Sequence, residues 1–246
     1  MSVGERKPWT RDELILAINL YCKTPFGRIH MRNPEIIELS NKLGRTPGSV
    51  SYKLANFASI DPTIDRKGAV NVSKLDREVW NEFFEDWETM AFESETRMAQ
   101  VKKSELKVDE LDDFLIRNGK TRSSVVKVRI NQNFFRKMIL TSYNNLCCIT
   151  GIDNIELLVS SHIVPWARDE KNRLNPMNGL CLNALHDRAF DKGLISIDES
   201  YNVIVSKKVK HKLILQYDRK PIILPDRFIP DQKFLSFHRK NIFLEN

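Results

Sequence analysis

The sequence predicts an α+β protein: a helical part over residues 1–93, a charged linker or helix over 94–125, and a mixed part with short strands over 126–246. Three observations predict it. Helix start signals recur at Thr10, Asn33 and Thr46, each followed by an apolar stripe. A strand, loop, short strand and helix can be read in that order between Leu157 and Asp191. Charge also divides by region. Residues 1–75 hold twelve Lys and Arg against seven Asp and Glu, net +5; residues 76–113 hold five against thirteen, net −8; and residues 114–246 hold twenty-two against twelve, net +10.

The first helix is predicted from Thr10 and Glu13, which fit a capping box, with Trp9 and Leu14 placed as its hydrophobic staple; it should run to about Tyr21. Asn33-Pro34 is an N-cap followed by proline at the first helical position, and Ile36, Ile37, Leu39 and Leu43 lead to Gly44, where a second helix should end. Thr46-Pro47 repeats the signal, and Val50, Leu54 and Phe57 give a third helix. Two short helices around a glycine-containing turn make a helix-turn-helix pattern, whose second helix can lie in a DNA groove. Its solvent face should carry Ser49, Tyr52, Lys53 and Asn56, with Arg45 in the turn before them, as candidate DNA contacts. The same pattern also fits an αα-hairpin in a helical bundle. Residues 74–93 read as one helix with Leu75, Val79, Trp80, Phe83, Phe84, Trp87 and Met90 on a core face and an acidic opposite face.

From Ser94 to Ser124 the chain is charged, with apolar residues clustered only at Leu111, Phe114, Leu115 and Ile116. Residues 133–146 read as a helix, Cys148–Gly151 as a turn, Leu157–Val164 as a strand, Gly179–Leu182 as a second apolar piece and Ala184–Asp191 as a helix. Leu194–Ile197, Tyr201–Val205 and Leu213–Gln216 should be further strands.

Composition excludes some classes. Hydrophobic residues make up 41% and charged residues 29% of the 246, and no stretch approaches the roughly 20 apolar residues of a membrane helix. Met1 to Lys7 lacks the apolar core of a signal peptide, so the expected address is cytoplasmic, and Cys22, Cys147, Cys148 and Cys181 are expected as reduced thiols. There is no Cys-x-x-Cys pair, which argues against an ordinary zinc ribbon. Two basic regions flanking an acidic one suit a polyanion, although many basic proteins bind no nucleic acid.

Three residues stand in an order that carries chemistry: His162 at the end of a strand, Asn178, and His186 on a helix. Ser161-His162-Ile163-Val164-Pro165-Trp166, Asn175-Pro176-Met177-Asn178-Gly179-Leu180-Cys181-Leu182 and His186-Asp187-Arg188-Ala189-Phe190-Asp191-Lys192-Gly193-Leu194-Ile195 together resemble the HNH (ββα-metal) endonuclease family, more narrowly its restriction-type branch. The resemblance spans about residues 129–198 and includes Arg129, Gln132, Phe135, Arg136, Tyr143, Cys148, Thr150 and Gly151. It implies that His162 takes the proton from water, that His186 holds a divalent metal, Mg2+ or Mn2+, and that Asn178 fixes the loop that aims the base. Imidazole, with an unperturbed pKa of roughly 6.5, suits that work at neutral pH.

Many family members have an acidic or histidine ligand before the base, where this chain has Ser161. A hydroxyl is a weak ligand. Either Ser161 supports a bound water or another residue supplies the ligand, with Asp187 and Asp191 the nearest acids; Asp191 also fits a structural part in the turn to Gly193. His30, His211 and His238 read as ordinary polar histidines. Thr150 stands where a zinc knuckle would have its second cysteine, so structural zinc is not expected and Cys147, Cys148 and Cys181 should be buried thiols. The N-terminal region, with Lys7-Pro8-Trp9-Thr10 and Gly44-Arg45-Thr46-Pro47, is similar to leaders of HNH restriction enzymes that cut modified DNA. The resemblance thus implies a modification-dependent restriction endonuclease on double-stranded DNA, expected as a homodimer at least on DNA. The alternatives are a DNA-binding regulator whose HNH domain does not cut, and a monomeric nicking or homing-type nuclease.

Overall fold

The computed structural model describes residues 7–64, 69, 71–103 and 122–245. The expected cluster at Leu111, Phe114, Leu115 and Ile116, and most of the expected linker, lie outside the described residues. The chain divides into two compact units, residues 1–130 and 131–246.

The first unit is built around α1 (Arg11–Lys23), in which every residue from Glu13 to Cys22 is buried. A helix apolar on all sides must be surrounded, and helices α2 (Pro34–Leu43), α3 (Pro47–Ile60), α4 (Lys74–Glu85) and α5 (Trp87–Lys102) all pack against it. The capping box forms as the sequence requires: the Thr10 hydroxyl accepts from Glu13 N–H and the Glu13 carboxylate accepts from Thr10 N–H. Asn19, polar in mid-core, donates its amide to Ser94 Oγ and Glu95 Oε1. The second helix ends at Gly44 with φ 61°, the left-handed cap that glycine adopts without a Cβ penalty.

The expected single helix over 74–93 is two helices. Asp86 leaves helical geometry (φ −127°, ψ 74°), ends α4, and turns its carboxylate onto the Thr89 N–H to start α5. A short polar side chain that bonds nearby backbone competes with helix continuation. The aromatic stripe survives the break: Trp80 stacks on Phe84 with centroids 4.0 Å apart, and Phe83 and Trp87 meet edge to face. The acidic face is not simply solvated. Glu82 and Glu93 hold Arg11, Glu95 holds Lys23, and Glu88 holds Lys127.

Helix α6 (Arg122–Ser142), whose residues from Asn131 on belong to the second unit, begins earlier than residues 133–146 and also ends earlier, because Asn144 and Asn145 take left-handed backbone (φ 53° and 57°) and close it. Strands β1 (Leu158–His162) and β2 (Gly179–Asn183) form an antiparallel hairpin in which His162 faces Gly179 and Leu158 faces Asn183. Helix α7 (Ala184–Asp191) follows β2 without a gap and lies against both strands. A second pair, β3 (Ile195–Ile197) with β4 (Val203–Val205), is antiparallel. The strand expected at Leu213–Gln216 is instead a short helix, α8 (Lys212–Leu215), begun by His211 Nδ1 accepting from Leu213 N–H. Local capping there outweighs apolar alternation. Helix α9 (Gln232–Asn241) packs on β3.

No helix among the described residues is long and apolar enough to cross a membrane.

Candidate active site

His162 ends β1, and its ring is fixed on three sides. It stacks on Phe135 from α6 (centroids 4.2 Å, planes 12° apart), meets Trp166 edge-on at 5.4 Å, and bonds through Nε2 to the Arg173 carbonyl at 2.8 Å. A carbonyl can only accept, so Nε2 carries the ring proton and Nδ1 carries the lone pair. No described residue bonds Nδ1, and the residue is half-buried. Burial pushes the imidazole below its ordinary pKa, against smaller opposing effects of the Arg173 carbonyl and the Asp187 charge. At neutral pH the ring is therefore a neutral base with its proton already placed.

Asn178 is buried in the loop between the hairpin strands and works as a clamp. Its Oδ1 accepts from Val164 N–H at 2.8 Å, its Nδ2 donates to the Val164 and Asn172 carbonyls, and its own carbonyl accepts from Ile163 N–H. Three of these bonds tie down the chain just after His162, and the fourth reaches Asn172 in the same loop. Asn178 touches no other candidate catalytic side chain in these bonds, and its part is to hold the backbone that carries His162.

His186 lies in the first turn of α7, 3% exposed, with Tyr217 edge-on to its ring at 5.2 Å. Asn183, the N-cap of α7, accepts with Oδ1 from both the backbone N–H and the Nδ1 of His186, each at 3.0 Å. The amide oxygen is acceptor-only, so Nδ1 is the protonated nitrogen and Nε2 has the lone pair. That Nε2 is buried and has no partner among the described residues. Burial lowers the His186 pKa, which keeps the ring neutral.

A buried lone pair without a donor is costly unless something occupies it. A histidine whose other nitrogen is held by an oxygen acceptor is the usual arrangement at a metal. The hydroxyl of Ser161, 2% exposed, is likewise buried without a partner. His186 Nε2 and Ser161 Oγ are thus two buried donors, one nitrogen and one oxygen, each of a kind that a divalent cation can take. Among the described residues no group of three or more His, Cys, Asp and Glu side chains is placed to hold a metal ion, so water and substrate oxygens would complete the shell. Asp187 is half-buried beside His186, and its charge reaches His162. Asp191 ends α7 on its exposed side, before Gly193, whose φ of 66° makes the turn into β3.

Sequence reasoning found only part of what orients these histidines: Phe135 and Thr150 fall within the resemblance, whereas Asn183, the Arg173 carbonyl and Tyr217 were missed. Asn183 could have been found from its place as an N-cap three residues before His186. Arg173 and Tyr217 carry no such local signal, since each reaches its histidine from a separate segment. Cys147 and Thr150 join the same support: Cys147 Sγ accepts from Asn183 N–H at 3.2 Å, and Thr150 Oγ1 accepts from Asn183 Nδ2 at 3.0 Å. The four cysteines are buried and not joined in disulfides; burial pushes the Cys181 thiol up to about 12, and that of Cys148 well up.

The candidate contacts in the first unit separate. Ser49 and Tyr52 lie on the open side of α3, Tyr52 49% exposed. Lys53 and Asn56, expected on the solvent face, are only 7% and 2% exposed. Lys53 Nζ donates to both oxygens of the fully buried Asp76, and Asn56 Nδ2 donates to the Asn71 carbonyl. The buried sector of α3 is wider than its Val50, Leu54 and Phe57 stripe, because α3 packs on α1, α2 and α4 at once. Arg45 is also taken up internally, by Glu13, the Lys7 and Pro8 carbonyls and the face of Trp9.

No curated protein matches the chain. Residues 147–198 match the family described as HNH endonuclease, and this segment, which runs from the Cys147 turn through β1, β2 and α7 to β3 and contains His162, Asn178 and His186, is where the chain is similar to known nucleases.

Proposed function

We propose that the protein is a metal-dependent endonuclease that hydrolyses phosphodiester bonds of duplex DNA, in the form of a modification-dependent restriction enzyme. One observation carries the reading. The two histidines are locked in opposite tautomers, His162 with Nδ1 free as a base and His186 with Nε2 free as a ligand.

Hydrolysis needs a deprotonated water, neutralisation of the charge on the phosphorane, and relief for the departing oxygen. His162 Nδ1 takes one proton from water as the O–P bond forms and the P–O3′ bond breaks. Asn178 keeps that base aimed by holding Ile163 and Val164. His186 Nε2, with Ser161 Oγ, would hold a Mg2+ or Mn2+ ion, which supplies Lewis-acid charge at the phosphate when bound. The neutral state of both rings, favoured by burial, suits both tasks.

The first unit would recognise the site, with α2, the turn Gly44–Thr46 and α3 as a helix-turn-helix-like element that presents Ser49 and Tyr52. The modification dependence rests on the likeness of the N-terminal region to leaders of such enzymes. One centre cuts one strand, so a homodimer is expected on duplex DNA.

A second reading, a DNA-binding regulator that does not cut, is favoured by the sparse set of protein ligands around His186. Purified protein incubated with methylated and unmethylated plasmid, in Mg2+ or Mn2+, separates the two. Cleavage of the methylated plasmid, lost in His162→Ala, supports the enzyme; both plasmids intact with wild-type protein in either metal would sink it. Linear against nicked product distinguishes paired from single-site cutting.

A further inference from the structure

We propose that the segment Lys207–Lys220, outside the part of the chain that matches the nuclease family, is a clamp for the DNA backbone beside the scissile phosphate. This inference rests on the nuclease reading and adds the surface that holds the substrate.

The segment carries Lys207, Lys208, Lys210, Lys212, Arg219 and Lys220, six cations against the single acid Asp218. All six are exposed, and among the described residues no carboxylate pairs with any of them. Asp218 forms no ion pair with them among the described residues; its Oδ1 accepts from Val205 N–H at 3.0 Å. Four other cations of this unit are engaged, Arg136 by the Leu158 and Ile155 carbonyls, Arg173 by Glu170 and the Trp166 carbonyl, Arg239 by Glu199 and the Ile197 carbonyl, and Lys233 by Asp231, while the exposed Lys137, Arg168, Lys171, Arg188, Lys192 and Lys240 are spread over the unit rather than gathered in one segment.

The charge sits on a pinned frame. The chain leaves β4 at Ser206, whose N–H donates to Leu194 O, and Val209 is buried beneath the lysines. It returns through α8 to pair again with the same strand, Arg219 N–H to Val203 O and Val203 N–H to Lys220 O, both 2.8 Å. On the way back Tyr217 lies edge-on to His186 at 5.2 Å. The cationic excursion therefore abuts the side chain proposed to hold the metal. A strip of cations with no carboxylate partner among the described residues, one of them, Lys220, lying over the Tyr217 ring at 5.9 Å, fits a strand of phosphates at that place, because duplex DNA carries one negative charge per roughly 1.7 Å of axis and binding releases condensed counterions.

Exposed Leu213 and Leu215 beside the lysines raise an anionic membrane surface as a rival. A helix of four residues buries too little for that, and the contact with His186 favours the nucleic acid.

Full-length His162→Ala protein bound to a labelled DNA duplex at several salt concentrations tests the clamp, with K207Q/K208Q and K210Q/K212Q added in turn. Each pair should lower the slope of log affinity against log salt by about 2, from about 0.9 per phosphate contact, and weaken binding about tenfold near 0.15 M salt. K233Q/K240Q removes the same net charge elsewhere in this unit and should leave the slope unchanged. Slopes that move equally in all three pairs, or in none, overturn the clamp while wild-type cleavage leaves the nuclease reading standing. Wild-type protein that neither binds nor cuts duplex DNA ends both. Loss of binding to anionic vesicles, with DNA binding intact, would reassign the strip to a membrane and overturn the clamp.

Discussion

His162 stands directly across the β1–β2 ladder from Gly179, and the space left by the missing side chain of Gly179 is filled by the helix that supports the His162 ring. A Cβ on Gly179 would lie 2.8 Å from Phe135 Cζ and closer still to Ile139 Cδ1. Phe135 is the residue on which His162 stacks. Gly179→Ala is expected to push α6 away from the hairpin, to cost about 1–3 kcal/mol as overpacking does, and to lower cleavage more than the stability loss explains. Denaturant unfolding beside single-turnover cleavage checks it, and an alanine variant of full activity would show that the stack does not position the base.

The pH dependence follows from the state of His162. Burial depresses its pKa, so the neutral, proton-accepting ring should persist below its ordinary value of about 6.5. The rate should stay flat through that pH and fall only at lower pH, as the ring takes up its proton. His162→Ala should lose about 10²–10⁴-fold, the typical contribution of a positioned base, and should also lose this acid limb. A wild-type profile that falls at or above pH 6.5 would point to another base.

The support of His186 predicts an effect on metal affinity that activity alone would not isolate. Asn183 Oδ1 holds Nδ1 and so directs Nε2. His186→Ala should abolish stabilisation of the apo protein by Mn2+ in thermal unfolding. Asn183→Ala should weaken Mn2+ binding by about 10–100-fold, the usual consequence of losing a group that orients a ligand. Calorimetric titration with Mn2+ gives both numbers. Because Asn183 also caps α7 and bonds Cys147 and Thr150, Asn183→Asp, which keeps the acceptor and the cap, should recover most of the affinity. Equal affinities in the wild-type, alanine and aspartate proteins would assign Asn183 to folding alone.

How far the fold was legible depended on whether its determinants were local. The caps at Thr10, Asn33 and Thr46 and the glycine stop at Gly44 operate within one helical turn, and the helices begin and end where they indicate. The β1–β2–α7 order could be read because strand, loop and helix follow one another with their polar residues at the joints. Lys53 and Asn56 misled for the opposite reason. Their burial is decided by Asp76 and Asn71, which are far along the chain, and a lysine reads as exposed until its buried partner is known. In the site, the histidines and Asn178 were legible from the motif, whereas which nitrogen of each ring is free depends on the Arg173 carbonyl and Asn183, and needs the folded chain.

His238 is expected to make the second unit sensitive to acid independently of catalysis. It is buried between β3 and α7, where Nε2–H donates to the Phe190 carbonyl at 3.0 Å and Nδ1 bonds Ser196 Oγ at 2.8 Å, with Phe190 stacked on the ring at 3.7 Å. Both nitrogens are satisfied in the neutral ring if the Ser196 hydroxyl donates; protonation removes the acceptor at Nδ1. Burial pushes the pKa down to about 4. Between about 4 and the unfolded value of about 6.5 the unfolded chain binds the extra proton and the folded chain does not. The stabilisation is therefore full above pH 6.5 and is lost as pH falls through that window, by about 3 kcal/mol in total on the order of 1.4 kcal/mol per pH unit. His238→Gln should flatten that part of the stability curve while lowering the plateau at pH 7. Urea unfolding between pH 4 and 8 gives the two curves, and parallel curves for wild type and variant would exclude His238 as the source of the acid sensitivity.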